Sequence, residues 1–191
     1  MVFDRISLNH MSLSDPFMET FEVKRGIAKS VLGDGGLGAL AGKYFDDVEA
    51  SNDDGFEGNF GILIKVNAHY NAKGQLVTDV EQMKGSDLEE FLSADGGREK
   101  AMDSRRRWSE FLDSATGYSP KQRGDKAKES AKKASKAKSA VSQARHFMKL
   151  SDVSEEKSAL AEELITEIQE CLDRGDFTRA ASRGEKLGKM F

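Results

Sequence analysis

Cysteine occurs once in this chain, at Cys171, and proline twice, at Pro16 and Pro120. One cysteine excludes an internal disulfide framework and a cysteine-based zinc site. No apolar run approaches the roughly 18–20 residues that a transmembrane helix needs. Met1-Val2-Phe3-Asp4-Arg5 is not followed by an apolar signal-peptide core. These absences lead to the expectation of a cytoplasmic protein with no membrane contact. Hydrophobic residues are few as well: 38%, with 32% charged, against about 45–50% and about 25% in average globular chains. The eleven Phe among 191 residues suffice for one modest core, not for a core spanning the whole length.

What the chain does have is charge in blocks. Residues 1–97 carry 8 basic and 17 acidic side chains. Residues 98–149 carry 15 basic and 6 acidic, and residues 150–191 carry 6 basic and 10 acidic. An overall charge of −4 therefore hides an acid–base–acid layout. Such blocks mark interaction surfaces or solvated segments rather than core.

Residues 1–18 read as a flexible leader, with Met11 and Met18 as alternative starts. Glu19 to Arg25 alternates around Phe21 and Val23, which predicts a short strand ended by Gly26. Leu37, Leu40, Ala41, Tyr44 and Phe45 recur at helical spacing and predict a helix of about three turns. A brief strand is expected at Val48 to Ala50, between Asp46-Asp47 and the Ser51 to Gly55 cluster. Phe56 to Tyr70 gives one long strand signal, with Ile62, Ile64, Val66 and Ala68 on one face. Asn71-Ala72-Lys73-Gly74 reads as a hairpin turn returning through Leu76 to Val80. Ser86-Asp87-Leu88-Glu89 has the pattern of a capping box opening a short helix. Arg98 to Ala115 is amphipathic, with Met102, Arg105, Trp108, Phe111 and Leu112 along one stripe. Gly117 stops that helix, and Pro120 forces a fresh start. The expected fold is α+β, a small antiparallel-sheet domain of order β-α-β-β-β-α over 19–118.

Beyond it the composition changes. Between Lys121 and Lys138 there is no large apolar residue, and Lys alternates with Ala and Ser. This predicts a basic helical arm over 119–150 with nothing to bury, until Val141, Phe147, Met148 and Leu150 restore an apolar face. Residues 151–191 predict a helical hairpin. Its first stripe is Leu160, Leu164, Ile168, Cys171 and Leu172, and its second runs from Phe177 to Phe191. Arg174-Gly175-Asp176 forms the joint between the two. Arg-Gly-Asp also occurs at 123–125, and both copies read as helix boundaries.

Two stretches resemble a small family of uncharacterised archaeal α+β domains. They are Phe21-Glu22-Val23-Lys24-Arg25-Gly26, and the run from Arg106 to Arg123 that contains Trp108, Phe111-Leu112 and Ala115-Thr116-Gly117-Tyr118. The resemblance covers roughly 19–130. The chain departs from the pattern by the Gly-rich insertion at 33–38 and by Ser119-Pro120. The resemblance implies an α+β fold and assigns no catalytic residue.

Gly33, Gly35 and Gly38 match G-x-G-x-x-G ahead of a helix, where backbone amides can approach a phosphate. No βαβ units follow, and Asp34 opposes an anion, so a nucleotide-binding reading ranks below a simple turn. His10, His69 and His146 are scattered without carboxylate partners at ligand spacing, so no metal is implied. Asp46-Asp47 and Asp53-Asp54 do not fit an EF-hand loop. Cys171 lies on an apolar stripe and reads as a small hydrophobe. No cofactor follows from any of these.

The basic block is the most informative feature. Arg105-Arg106-Arg107 lead toward Lys121, Arg123, Lys126, Lys128, Lys132, Lys133, Lys136, Lys138 and Arg145. Lysines on such an arm neutralise phosphates in a salt-sensitive, sequence-independent way. The competing reading is a solvated spacer. The function expected from sequence is therefore binding rather than catalysis. RNA or DNA would bind through the arm, and a protein partner or a second copy of the chain through 151–191.

Overall fold

The computed structural model describes residues 17–51, 55–151 and 153–191. The chain divides into two compact units between Tyr118 and Ser119.

The first unit is α+β. Five strands, β1 (Phe17–Phe21), β2 (Asp46–Ala50), β3 (Phe56–Phe60), β4 (Leu63–Tyr70) and β5 (Leu76–Gln82), form an antiparallel sheet ordered β1-β5-β4-β3-β2. Four helices accompany it: α1 (Ile27–Gly33), α2 (Gly36–Ala41), α3 (Gly85–Ser93) and α4 (Gly97–Thr116). Buried residues alternate with more exposed ones along β3 and the start of β5, as in an antiparallel sheet covered on one face. Phe56, Val66 and Leu76 meet Leu37 and Ala41 of α2 and Phe111, Leu112 and Ala115 of α4 in one core. An aromatic cluster fills its centre. Phe45 stacks on Phe56 at 5.7 Å, and Phe111 meets Phe56 edge-on at 5.2 Å.

Several expectations change here. The leader gives up Phe17 and Met18 to β1, because the register with β5 runs from Phe17↔Val80 to Phe21↔Leu76. Glu22 to Arg25 lies outside the strand, and the Lys24 amide donates instead to the Thr116 carbonyl at 2.8 Å. The helix expected over Leu37 to Phe45 shortens to α2, which ends at Ala41, and an unexpected helix, α1, precedes it. The long strand signal is two strands folded at Gly61-Ile62. A register shift between Leu63 and Lys65 turns Leu63 into the core and leaves Ile64 49% exposed. Helix α3 is capped by Lys84 with no side-chain hydrogen bond, so the Ser86 box is not formed. The buried edge of α4 is Ala101, Ser104, Phe111, Leu112 and Ala115, whereas Met102 and Arg105 are exposed.

The two stretches that carry the family resemblance meet in space. Besides the Lys24–Thr116 hydrogen bond, a Cβ at Gly117 would stand 2.7 Å from Cγ1 of Ile27. The end of α4 is thus seated on the β1–α1 corner.

The second unit has three helices, α5 (Pro120–Leu150), α6 (Glu155–Asp173) and α7 (Phe177–Gly188). Ser154 and Asp176 cap α6 and α7 by accepting from the amides of Lys157 and Arg179. The core is Ala137, Val141 and Ala144 of α5 with Ala161, Ile165, Ile168 and Cys171 of α6 and Ala180 and Leu187 of α7. The reading of Lys121 to Lys138 as having nothing to bury is therefore corrected at Ala137, an alanine fully buried where the helices approach closely. The Phe147 and Leu150 side chains remain exposed. On α6 the stripe is rotated onto Ala161 and Ile165, leaving Leu160 51% exposed.

Candidate nucleic-acid interface

Helix α5 starts where the chemistry demands. Ser119 is the N-cap of a formed capping box with Gln122, and Pro120 occupies the first turn, where its missing N–H costs nothing. Ala and Lys then sustain helix for 31 residues. Arg123-Gly124-Asp125 lies inside this helix, so only the copy at 174–176 marks a boundary. The helix carries ten basic and two acidic residues.

At about 100° per residue, the buried positions Ala137, Val141 and Ala144 define one side of α5. Lys121, Lys128 and Lys132 fall on the opposite side, within about 40° of one another. All three are exposed and make no ion pair among the described residues. Lys138 and Arg145 are exposed as well and project to a flank. Lys126, Lys133 and Lys136 are engaged. Glu129 receives Lys133 at 2.8 Å and Lys126 at 3.1 Å. These hydrogen bonds, Lys133 first, hold its carboxyl below the usual carboxylate range. Lys133 also donates to the Thr178 hydroxyl at 3.2 Å. Lys136 pairs with Glu185 of α7 at 2.6 Å, and that hydrogen bond holds Glu185 below its ordinary range. Arg123 is half-buried on the same helix.

Between α5 and α7 runs a groove of about 550 Å³. Lys132, Ser135, Lys136, Ser139 and Gln143 line one wall, and Gly184, Glu185 and Gly188 line the other. Of the α7 residues, the sequence places Gly184 on the second stripe of the hairpin and carries no signal for Glu185 or Gly188.

The Arg105–Arg107 run lies on α4, in the first unit. Arg106 is paired with Asp103 and Glu110, while Arg105 is exposed. Arg107 lies over the Phe60 ring at 3.9 Å, pairs with Asp103 at 2.9 Å and donates to the Tyr44 carbonyl at 3.2 Å. Arg107, not Arg105, is thus the arginine that α4 lends to packing.

The remaining candidates are dispersed. Gly33 ends α1, Gly35 caps α2, and Gly38 sits 3.5 Å from the Ala50 side chain, measured from an added Cβ. The turn joins helix to helix, and α2 has six residues. His69 and His146 are exposed, and His10 and Asp53-Asp54 lie outside the described residues. Among the described residues no group of three or more His, Cys, Asp or Glu is placed to hold a metal ion. No helix among them is long and apolar enough to cross a membrane. Cys171 is buried in the core of the second unit.

The chain belongs to the DUF5611 family, a domain of unknown function whose model matches residues 18–129. That match takes in the whole sheet, α4 and the first turns of α5. No curated protein and no solved structure matches the chain.

Proposed function

We propose that this DUF5611 member is a nucleic-acid-binding protein that contacts the phosphate backbone of RNA or DNA through the exposed lysine face of α5. The supporting observation is the alignment of Lys121, Lys128 and Lys132 opposite the buried side of a long helix, exposed and unpaired among the described residues. Such a row neutralises phosphates without reading bases, and its strength falls with salt. Lys138 and Arg145 widen the field along the same helix. The test is a titration of the full chain with labelled RNA and DNA between about 50 and 200 mM salt, where binding is expected to fall steeply. Replacing Lys121, Lys128 and Lys132 together by Ala should flatten the log–log salt slope by roughly 2–3. Absence of binding at the lowest salt overturns the reading.

A second reading is supported by apolar exposure. Leu150 is 74% and Leu160 51% exposed on α5 and α6. Association through the C-terminal hairpin, with a protein partner or a second copy, would cover them. Light scattering of the chain and of a Leu150→Glu, Leu160→Glu variant tests self-association.

A further inference from the structure

We infer that the groove between α5 and α7 is the seat of the sugar–phosphate backbone, and that Glu185 is its internal counter-ion, displaced when the strand binds. This inference rests on the nucleic-acid reading and adds where on the unit the strand lies.

The groove continues the free lysine line. Lys128, Lys132, Lys136, Ser139 and Gln143 follow one another at three- or four-residue steps, so one face of α5 presents a donor about every 5–6 Å. That repeat is on the scale of successive phosphates along an extended strand. Every one of these side chains can donate a hydrogen bond to a phosphate oxygen.

The floor is low because the helices approach closely beside it. A Cβ at Gly184 would stand 3.2 Å from the Ala140 Cβ and 3.4 Å from the Ala137 Cα. Gly188 has open space around it. Beside these two glycines a bulky backbone can therefore sink toward Lys132 and Lys136, and the α7 side chain it meets there is Glu185. Among the described residues no aromatic side chain lines the groove, so they offer no platform for base stacking. The chemistry is that of the phosphodiester chain, not of the bases.

One group already occupies the phosphate position. Glu185 holds Lys136 at 2.6 Å, yet both side chains are more than half exposed. An exposed pair of this kind is weak, so an entering phosphate replaces the carboxylate at little cost. Removing the carboxylate then frees Lys136 for the ligand and removes a like charge from its path.

The experiment uses the full chain with Glu185→Gln and Gly188→Glu, and a fluorescein-labelled mixed-sequence RNA as single strand and as duplex. Glu185→Gln should tighten binding about 3- to 10-fold at low salt and steepen the log–log salt slope by roughly 0.7–0.9, one further phosphate contact. Gly188→Glu, whose Cβ would have nothing within 4 Å, should weaken binding by a comparable factor. A response on one of the two RNA forms identifies that form as the ligand. If both variants bind like the parent while the Lys121, Lys128 and Lys132 variant is weakened, the groove assignment fails and the α5 reading stands. If the parent itself does not bind at low salt, both fall.

Discussion

The backbone amide of Ile62 donates to the Ser104 hydroxyl at 3.2 Å, and that hydroxyl donates to the Lys100 carbonyl at 2.7 Å. Ser104 is fully buried on α4, so one side chain ties the β3–β4 corner to the helix covering the sheet. Gly61, at φ +57°, makes the corner, and a Cβ there would stand 2.3 Å from the Ser104 oxygen. Ser104→Ala leaves the Ile62 amide buried without its acceptor and should cost about 1–3 kcal/mol. Gly61→Ala adds an unfavourable φ and a clash, and should cost more. Urea midpoints measure both. A Gly61→Ala, Ser104→Ala double variant should lose less than the sum, because removing the hydroxyl relieves the clash.

Two glycines near the division between the units should respond with opposite sign. Gly117 has φ +72°, and its added Cβ would meet Ile27 at 2.7 Å. Gly117→Ala should therefore destabilise the chain, by about 1–3 kcal/mol. Gly124 lies within α5 with nothing inside 4 Å of an added Cβ. Gly124→Ala should stabilise the helix by about 0.5–1 kcal/mol. Circular dichroism melts of the two variants compare them directly.

Helices α6 and α7 are joined by an ion pair. Arg183 Nε stands 2.8 Å from Glu167 Oε2, and that oxygen is shielded from solvent although it accepts no well-aligned hydrogen bond. The attraction is therefore mainly Coulombic. Arg183→Met would leave the shielded carboxylate without its cation and should lower stability by roughly 1–2 kcal/mol, with Glu167→Gln milder. The double variant should lose less than the two separate losses combined.

Legibility from sequence follows how local the cause is. Helix α4 was readable because its apolar repeat is long, and the hairpin turn because Asn71 to Gly74 carries its own signal. Ser119-Pro120, Ser154 and Asp176 act within one turn, and each marks a helix start. Helix α1 was missed because it buries no residue. The fold-back at Gly61 was missed because it depends on Ser104, 43 positions away, and the bulge after Leu63 is a feature of pairing with β5. Arg105 was chosen over Arg107 because two residues turn a helix by about 200°, and only contact with Phe60 decides which faces inward. The lysines of the candidate interface were visible one by one. The groove was not, because Glu185 reaches Lys136 across 49 positions, and no local pattern announces that pairing.

Tyr70 connects the sheet to α4 and gives the fold an alkaline limit. Its hydroxyl donates to the Ala115 carbonyl at 2.7 Å, and burial pushes its pKa up to about 12 from 10.0. The folded state thus favours the neutral phenol. Because the folded pKa lies above the unfolded one, the contribution is complete below about pH 10 and is lost as pH rises toward about 12. Lysine deprotonation falls in the same range, so the informative quantity is the difference between the parent and Tyr70→Phe. The variant should be less stable at pH 7 by about 1 kcal/mol, the hydrogen bond forgone. Its stability should then fall less steeply between about pH 10 and 12, so that the two curves converge or cross. Parallel curves across that window would mean that the phenol titrates freely in the folded protein.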